Sequence, residues 1–269
     1  MTKIVLTIGG SDPFAGGGIQ TDLKTFSDHQ TFGMSVLTSI VTFSGNCLSV
    51  HLVDKEVFAA QLKSIQDVSF AAIKIGLIAN PVFIPLIKEF LRGRPDIPVV
   101  LDPVLAFKEG DLKLKKAVVA GMQTDLAPFV TIITPNLVEA ETLLNKKITT
   151  LAEMQAAATI LQKPFNTAVL LKGGSRLAGE DAVDMLSLPH GELRHFTTKK
   201  INTQSINGAG CSLSSAIAAR LSENAELDEA VKKAKNYVYQ SIQKGIMVTK
   251  EFGSVYYERN IKYDHNQFI

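Results

Sequence analysis

Cysteine is scarce: Cys47 and Cys211 are the two thiols of a 269-residue chain. Two scattered thiols build neither a disulfide framework nor a four-ligand zinc site by themselves. They suit a reducing compartment. Charge of one sign is also in short supply. The formal net charge is +2, with 20% charged residues, which gives no reason to expect nucleic acid or a membrane surface as a partner. No stretch reaches the roughly 18 unbroken apolar residues of a membrane span. The opening "MTKIVLTIGG" carries one lysine and a short apolar run. It reads as a first strand, since a signal peptide needs a longer core and a cleavage site. A soluble, cytoplasmic protein is expected. Linkers and repeats are missing too, so one domain over residues 1–269 is expected.

Short apolar runs alternate with amphipathic stretches. "KIVLTIGG", "MSVLTSIVTF", "AAIKIGLI", "PVVLDPV", "VTIITPN" and "TAVLLKGG" read as strands. Helices are expected after Gly18, after Asp54 as N-cap and after Asn80-Pro81. Thr150 and Glu153 have capping-box spacing before a further helix. Residues 181–201 alternate like a hairpin, and two helices close the chain, one after Cys211 and one carrying Leu227, Val231, Ala234 and Val238. This order predicts an α/β fold: a mainly parallel central sheet with helices on both faces. Ligands of such sheets bind beyond the carboxyl ends of the strands. There the sequence gathers Gly9 to Asp12, Phe43 to Gly45, Asp102-Pro103, Pro135-Asn136 and Lys172 to Gly174.

Familiar nucleotide signatures are absent. The Gly16–Gly18 run would need a third glycine where Thr21 stands, and no Gly-Lys-Ser/Thr run exists. What stands instead is "SINGAGCSLSSA". Gly208, Ala209, Gly210 and Cys211 can present successive amides at a helix start, a good anion hole for a transferring phosphoryl group. The bland alternative is tight helix packing around an inert thiol. A helix N-terminus lowers a thiol's pKa, so a thiolate-like Cys211, base or nucleophile, is the functional expectation. Glu139 stands three residues after Asn136; it is either half of a capping box or an acidic partner for magnesium, which takes few carboxylates. Lys172 is either solvated or neutralises phosphate.

The ordered set "GGSDPFAGGGIQTDLKTF", "KIGLIA", "LDPVLAFKEGD", "TPNLVEAE", "LLKGG" and "NGAGCSLSSAIAARL" resembles the ribokinase-like superfamily. Within it, the set resembles the branch of hydroxymethylpyrimidine/phosphomethylpyrimidine kinases and the related bacterial pyridoxal kinases. The resemblance implies a three-layer ribokinase-like fold with a small flap, in-line transfer of the ATP γ-phosphoryl to a CH2OH group, and ATP with Mg2+ as cofactors. It implies Cys211 as base or substrate-positioning group, where most of the superfamily has aspartate, with Gly208, Ala209 and Gly210 completing the anion hole. Gly10, Asp12, Gly17, Asp22, Phe43, Leu77 and the flap's Lys108 fall at substrate positions. Asn136, Lys172, Gly173 and Gly174 fall near the nucleotide, and Glu139 near the metal. Relatives are commonly dimers, so a homodimer is implied.

This chain departs from the pyrimidine kinases at Phe43, where they usually carry glutamine. Glutamine can pair with a ring nitrogen and an exocyclic amine, whereas phenylalanine can only stack or pack. With the Gly-Ala-Gly-Cys loop, this favours pyridoxal or pyridoxine as substrate. The alternative is the pyrimidine of thiamine biosynthesis. Phe107 stands where some of the pyridoxal kinases have a flap cysteine, and Asn207 where histidine is usual; these motivate a third reading, a non-catalytic vitamin- or nucleotide-binding protein.

Overall fold

The computed structural model describes residues 1–44, 47–105 and 112–257. Lys108, Phe107 and the rest of the expected flap lie outside the described residues.

The chain lays down β1 (Ile4–Ser11), α1 (Gly18–Asp28), β2 (Phe32–Ser44), β3 (Cys47–Leu52), α2 (Lys55–Ser64), β4 (Ala72–Ile75), α3 (Ile84–Arg92) and β5 (Val99–Leu101). Then come α4 (Leu112–Gly121), β6 (Ile132–Ile133), α5 (Leu137–Leu144), α6 (Leu151–Phe165), β7 (Ala168–Lys172), β8 (Asp181–Ser187) and β9 (Leu193–Lys199). The last elements are β10 (Ser205–Asn207), α7 (Ala209–Leu221), α8 (Leu227–Gln243), β11 (Ile246–Met247) and β12 (Gly253–Ser254).

Nine strands form one sheet in the order β3-β2-β1-β4-β5-β6-β7-β8-β9. The run from β2 to β7 is parallel, and the outer strands β3, β8 and β9 are antiparallel. Parallel strands need crossovers, and the helices supply them on both faces, as the strand–helix alternation predicts. Each face buries its own apolar cluster. One holds Leu6, Phe58, Ile75, Phe83 and Leu161; the other holds Val5, Phe26, Ala72, Leu170, Ala216 and Val231. Alternation along β1 explains this, because Val5 and Leu6 point to opposite faces. Among the described residues no helix is long and apolar enough to cross a membrane.

Features set by near neighbours form as the sequence predicts. Both capping boxes are present, Asn136 with Glu139 and Thr150 with Glu153, and β8 and β9 make the expected antiparallel pair. Asp54 occupies the N-cap of α2, yet its side chain makes no cap hydrogen bond. At Asn80-Pro81 a short 3-10 turn over Pro81–Phe83 precedes α3, with the Asn80 carboxamide accepting from the Val82 amide at 3.0 Å. A three-stranded sheet, β10-β12-β11, is an addition that the sequence pattern does not announce.

Candidate active site

The carboxyl ends of β1, β4, β5, β6 and β7 converge on the N-terminus of α7. Gly208 caps that helix with φ +88°, a left-handed conformation that glycine adopts without steric cost. The first amides of α7 have no intrahelical acceptor, and the helix dipole makes them attractive to an anion. Lys172 reaches this turn from the end of β7. A Cβ on Gly210 would lie 3.3 Å from its Nζ, so a side chain there would push the ammonium slightly away from the helix start.

Lys172 is not the solvated lysine of the bland reading. It is 10% exposed and donates to Asp102 Oδ1 at 2.9 Å. Burial pulls its pKa down, but Asp102 and Glu139 outweigh that and hold it above the ordinary lysine range. Asp102, just beyond β5, also accepts from the hydroxyls of Thr134 and Ser214, each at 3.2 Å. A second buried pair stands beside the first. Lys74 on β4 donates to both oxygens of Asp22 on α1, at 2.8 and 3.0 Å, with exposures of 1% and 0%. Thr7 and Ser215 donate to the same carboxylate at 2.7 Å each. Burial lowers the Lys74 ammonium, and Asp22, Cys211 and Asp102 together more than offset this, leaving it raised.

Asp22 therefore departs from the expected ring contact. Its oxygens are occupied by Lys74, Thr7 and Ser215, and the carboxylate is sealed from any substrate. Gly173 departs as well: its amide donates to Val183 O at 3.0 Å and Asp184 Oδ1 at 3.1 Å, and a Cβ there would strike Val183 O at 2.2 Å. It is held by β8, while Gly174 is exposed beside it.

Cys211 lies between the two ion pairs and the glycine loop. A Cβ on Gly17 would stand 3.8 Å from its Sγ and 3.9 Å from Asp12 Oδ2, so Gly17, Asp12 and Cys211 come together as expected. The expected lowering of the thiol does not hold. Burial pushes Cys211 up to about 11, with Lys74 pulling it down and Asp22 and Asp102 pushing it up. Desolvation of the thiolate is the largest cause, against the Lys74 charge and the Gly18 amide. Asp12 is raised by burial too, against the amides of Phe14 and Gly16.

Asn136 caps α5, accepting from the Glu139 amide at 2.9 Å, while Glu139 Oε2 accepts from the Asn136 amide at 2.7 Å. The capping reading of Glu139 is realised, since one oxygen completes the cap, and burial raises the carboxyl to about 7 against the pull of Lys172. No group of three or more His, Cys, Asp or Glu at metal-binding distance occurs among the described residues. The single carboxylate of Glu139 would fit Mg2+, which usually keeps waters and takes one or two carboxylates plus phosphate oxygens.

On the other side, Gly10 packs on Ser39 and Leu77, and the Ser39 hydroxyl is buried without a hydrogen-bond partner among the described residues. Leu77 belongs to a small apolar cluster with Val41 and Ala79, against which Phe43 and Val104 pack. The Phe43 ring meets Phe14 at 5.1 Å, and Phe14 meets Phe252 at 5.1 Å. Phe252 is a partner that sequence reasoning missed. A Cβ on Gly16 would fall 2.3 Å from its ring. The segment carrying it is tied to the loop by Asn207, whose carboxamide donates to Gly253 O at 2.7 Å. Lys74 also escapes the sequence reasoning as a site residue, although a lysine inside the apolar run "AAIKIGLI" is a visible anomaly, and Asp102 is placed at the ligand edge there without a role.

Anion-attracting amides at a helix start and a buried ammonium stand together, an arrangement suited to a phosphoryl group and to phosphotransferase chemistry. The particular family follows from comparison. The model of the family described as phosphomethylpyrimidine kinase matches residues 12–256, and the chain belongs to that family. It is 35% identical to the hydroxymethylpyrimidine/phosphomethylpyrimidine kinase of Haemophilus influenzae, over 93% of this chain and 95% of that one. Its fold is similar to a crystal structure of the Bacillus subtilis pyridoxal kinase in complex with ADP, with a TM-score of 0.89, 32% identity, and 95% and 97% of the two chains covered. The Staphylococcus aureus pyridoxal kinase in complex with AMP-PCP and pyridoxal gives 0.87 at 32% identity, covering 95% and 93%. The chain is a kinase with an alcohol group as acceptor.

Proposed function

We propose that this kinase transfers the γ-phosphoryl of ATP to the hydroxymethyl group of a B-vitamin ring, with hydroxymethylpyrimidine as its first substrate, and that in a second transfer the phosphate oxygen of phosphomethylpyrimidine is the acceptor. The observation that carries the substrate is the 35% identity, over nearly the whole chain, to a kinase named for those pyrimidines. This reverses the order expected from Phe43 and the Gly-Ala-Gly-Cys loop. In this reading the amides of Ala209, Gly210 and Cys211 receive the transferring group, and Lys172 neutralises its charge beside them. Asn136 and Gly174 border the nucleotide. Glu139 and the nucleotide phosphates would hold Mg2+, which supplies charge neutralisation when bound. A Cys211 thiol pushed up to about 11 is protonated at neutral pH. In the free enzyme it is therefore a hydrogen-bonding contact for the hydroxymethyl oxygen, with base character arising only as substrate and nucleotide assemble. Phosphoryl transfer tolerates this, because it depends on positioning and charge neutralisation more than on a strong base.

A second reading, pyridoxal or pyridoxine as substrate, is favoured by one observation. Phe43, Phe14, Phe252 and Leu77 make an apolar wall with no side chain to pair an exocyclic amine. An ADP-release assay across both rings decides: turnover with the pyrimidine above that with pyridoxal supports the first reading. Turnover with pyridoxal and none with the pyrimidine overturns it. Cys211→Ala should lower turnover sharply while nucleotide binding survives; an unchanged rate removes the thiol from the mechanism.

A further inference from the structure

We propose that Lys74, held by Asp22, is a positioning residue for the Cys211 thiol. The inference rests on the reading that Cys211 meets the substrate's hydroxymethyl group, and its geometry comes from the packing of two helices. Residues four apart stack on one face of a helix, one turn of about 5.4 Å from each other. On α7, Ser215 lies one turn beyond Cys211; on α1, Asp22 lies one turn beyond Gly18. The two helices meet in register. The Gly18 amide faces the Cys211 sulfur, and one turn on, the Ser215 hydroxyl donates to Asp22 Oδ1 at 2.7 Å. Lys74 closes this lower rung from the sheet, binding both oxygens of Asp22. Its ammonium fits there because Gly76 has no side chain: a Cβ would sit 2.7 Å from Nζ.

The thiol thus stands one helical turn above a sealed cation at the α1–α7 interface. Other charges face it from the neighbouring elements: Asp102 beyond β5, Lys172 on β7, and Asp12 across Gly17, with Glu139 on α5 lying next to Lys172. Lys74 is the strongest of those favouring the thiolate, and Asp22 the stronger of the two carboxylates opposing it. The pair fixes where the sulfur sits and sets how readily it gives up its proton.

The test is alkylation of Cys211 by iodoacetamide, followed at the Cys211 peptide by mass spectrometry in the full chain at mildly alkaline pH. Below the thiol's midpoint the rate follows the thiolate fraction, so raising the thiol's pKa by one slows alkylation about tenfold. Lys74→Met should slow alkylation about tenfold or more. Asp22→Asn, which removes the opposing charge, should speed it. Opposite directions are the signature, since loss of structure alone would expose the thiol and speed both. Rates that are unchanged, or that move the same way in both variants, overturn the proposal. If Lys74→Met does not fold, the double variant Lys74→Met/Asp22→Asn leaves no buried unpaired charge. It should still react more slowly than the unsubstituted protein, and a rate equal to or above it overturns the proposal. Turnover is read separately. Unchanged turnover in Cys211→Ala defeats the catalytic reading of the thiol, while opposite alkylation shifts still stand as coupling of Lys74 to the sulfur.

Discussion

Asp22–Lys74 and Asp102–Lys172 are built from the same parts. Each joins a lysine on a central strand to an aspartate on a neighbouring element, and each is tied to α7 by one of two consecutive serines, Ser215 and Ser214. They differ in what lies above the ammonium. Lys74 is sealed at 1% exposure, whereas Lys172 opens to the first turn of α7 at 10%. The sealed pair places a charge where no ligand goes, so its effects pass through the protein. The open pair keeps a cation next to the anion hole with its partner already satisfied. In the proposed function, a phosphoryl group arriving there meets a lysine whose position is fixed in advance, which is how electrostatic preorganisation works.

The largest separation between the pairs should appear when each lysine is removed. Lys74→Met leaves Asp22 buried without its partner, and a buried charge stripped of its partner costs about 3–5 kcal/mol. Urea unfolding should show a loss of that order. Lys172→Met removes an ammonium that is 10% exposed rather than 1%, and Asp102 keeps the hydroxyls of Thr134 and Ser214, so the stability loss should be smaller, while turnover falls about 100-fold or more. Equal stability losses, or unimpaired turnover in Lys172→Met, would break the distinction.

Glu139 sharpens it next, because this carboxyl neighbours Lys172. Its folded value is about 7, above the ordinary 4.5. A raised carboxyl stabilises the fold fully below about pH 4.5, and that contribution is lost as pH rises through about 7. Glu139→Gln lacks this dependence. Melting temperatures taken across that window should show the unsubstituted protein losing ground to the variant as pH increases; a constant difference would refute the assignment.

The smallest expected effect lies in the serines. Ser215 gives its one proton to Asp22 at 2.7 Å. Ser214 shares its proton among Asp102 at 3.2 Å and the carbonyls of Gly210 and Cys211 at 3.3 and 3.0 Å. Ser215→Ala should cost about 1.5–3 kcal/mol, the range for a hydrogen bond to a charged group, and Ser214→Ala less. Chemical denaturation of the two variants reads the order directly.

Whatever depends on near neighbours is legible in the sequence. Capping boxes form within three residues, so Asn136 with Glu139 and Thr150 with Glu153 are readable there. The order of strands and helices predicts the parallel sheet and the edge where Gly10, Asn136 and Lys172 meet. Contacts across the fold are not readable. Lys74 stands out in an apolar run, yet its partner lies 52 residues away. Asp22 matches a family position for ring contact, and only the structure shows its oxygens filled from three other elements. For Cys211 the helix dipole is visible in the pattern, but the opposing desolvation depends on how the loop packs, which no local pattern records. Strands of two residues such as β11 and β12 carry no periodicity to detect.

The bond from Asn207 to Gly253 carries a consequence for synthesis of the protein. The two residues are 46 positions apart, and β12 is the strand that pairs with β10 just ahead of the phosphate-binding turn. Chains are made at about 5–20 residues per second, so this stretch takes roughly 2 to 9 seconds to follow. Throughout that interval on the ribosome, the turn bearing Cys211 has been made and its flanking strand has not. The turn that the proposed function assigns to phosphoryl transfer is therefore among the last parts of the described chain to be completed, and a nascent chain acquires that geometry late.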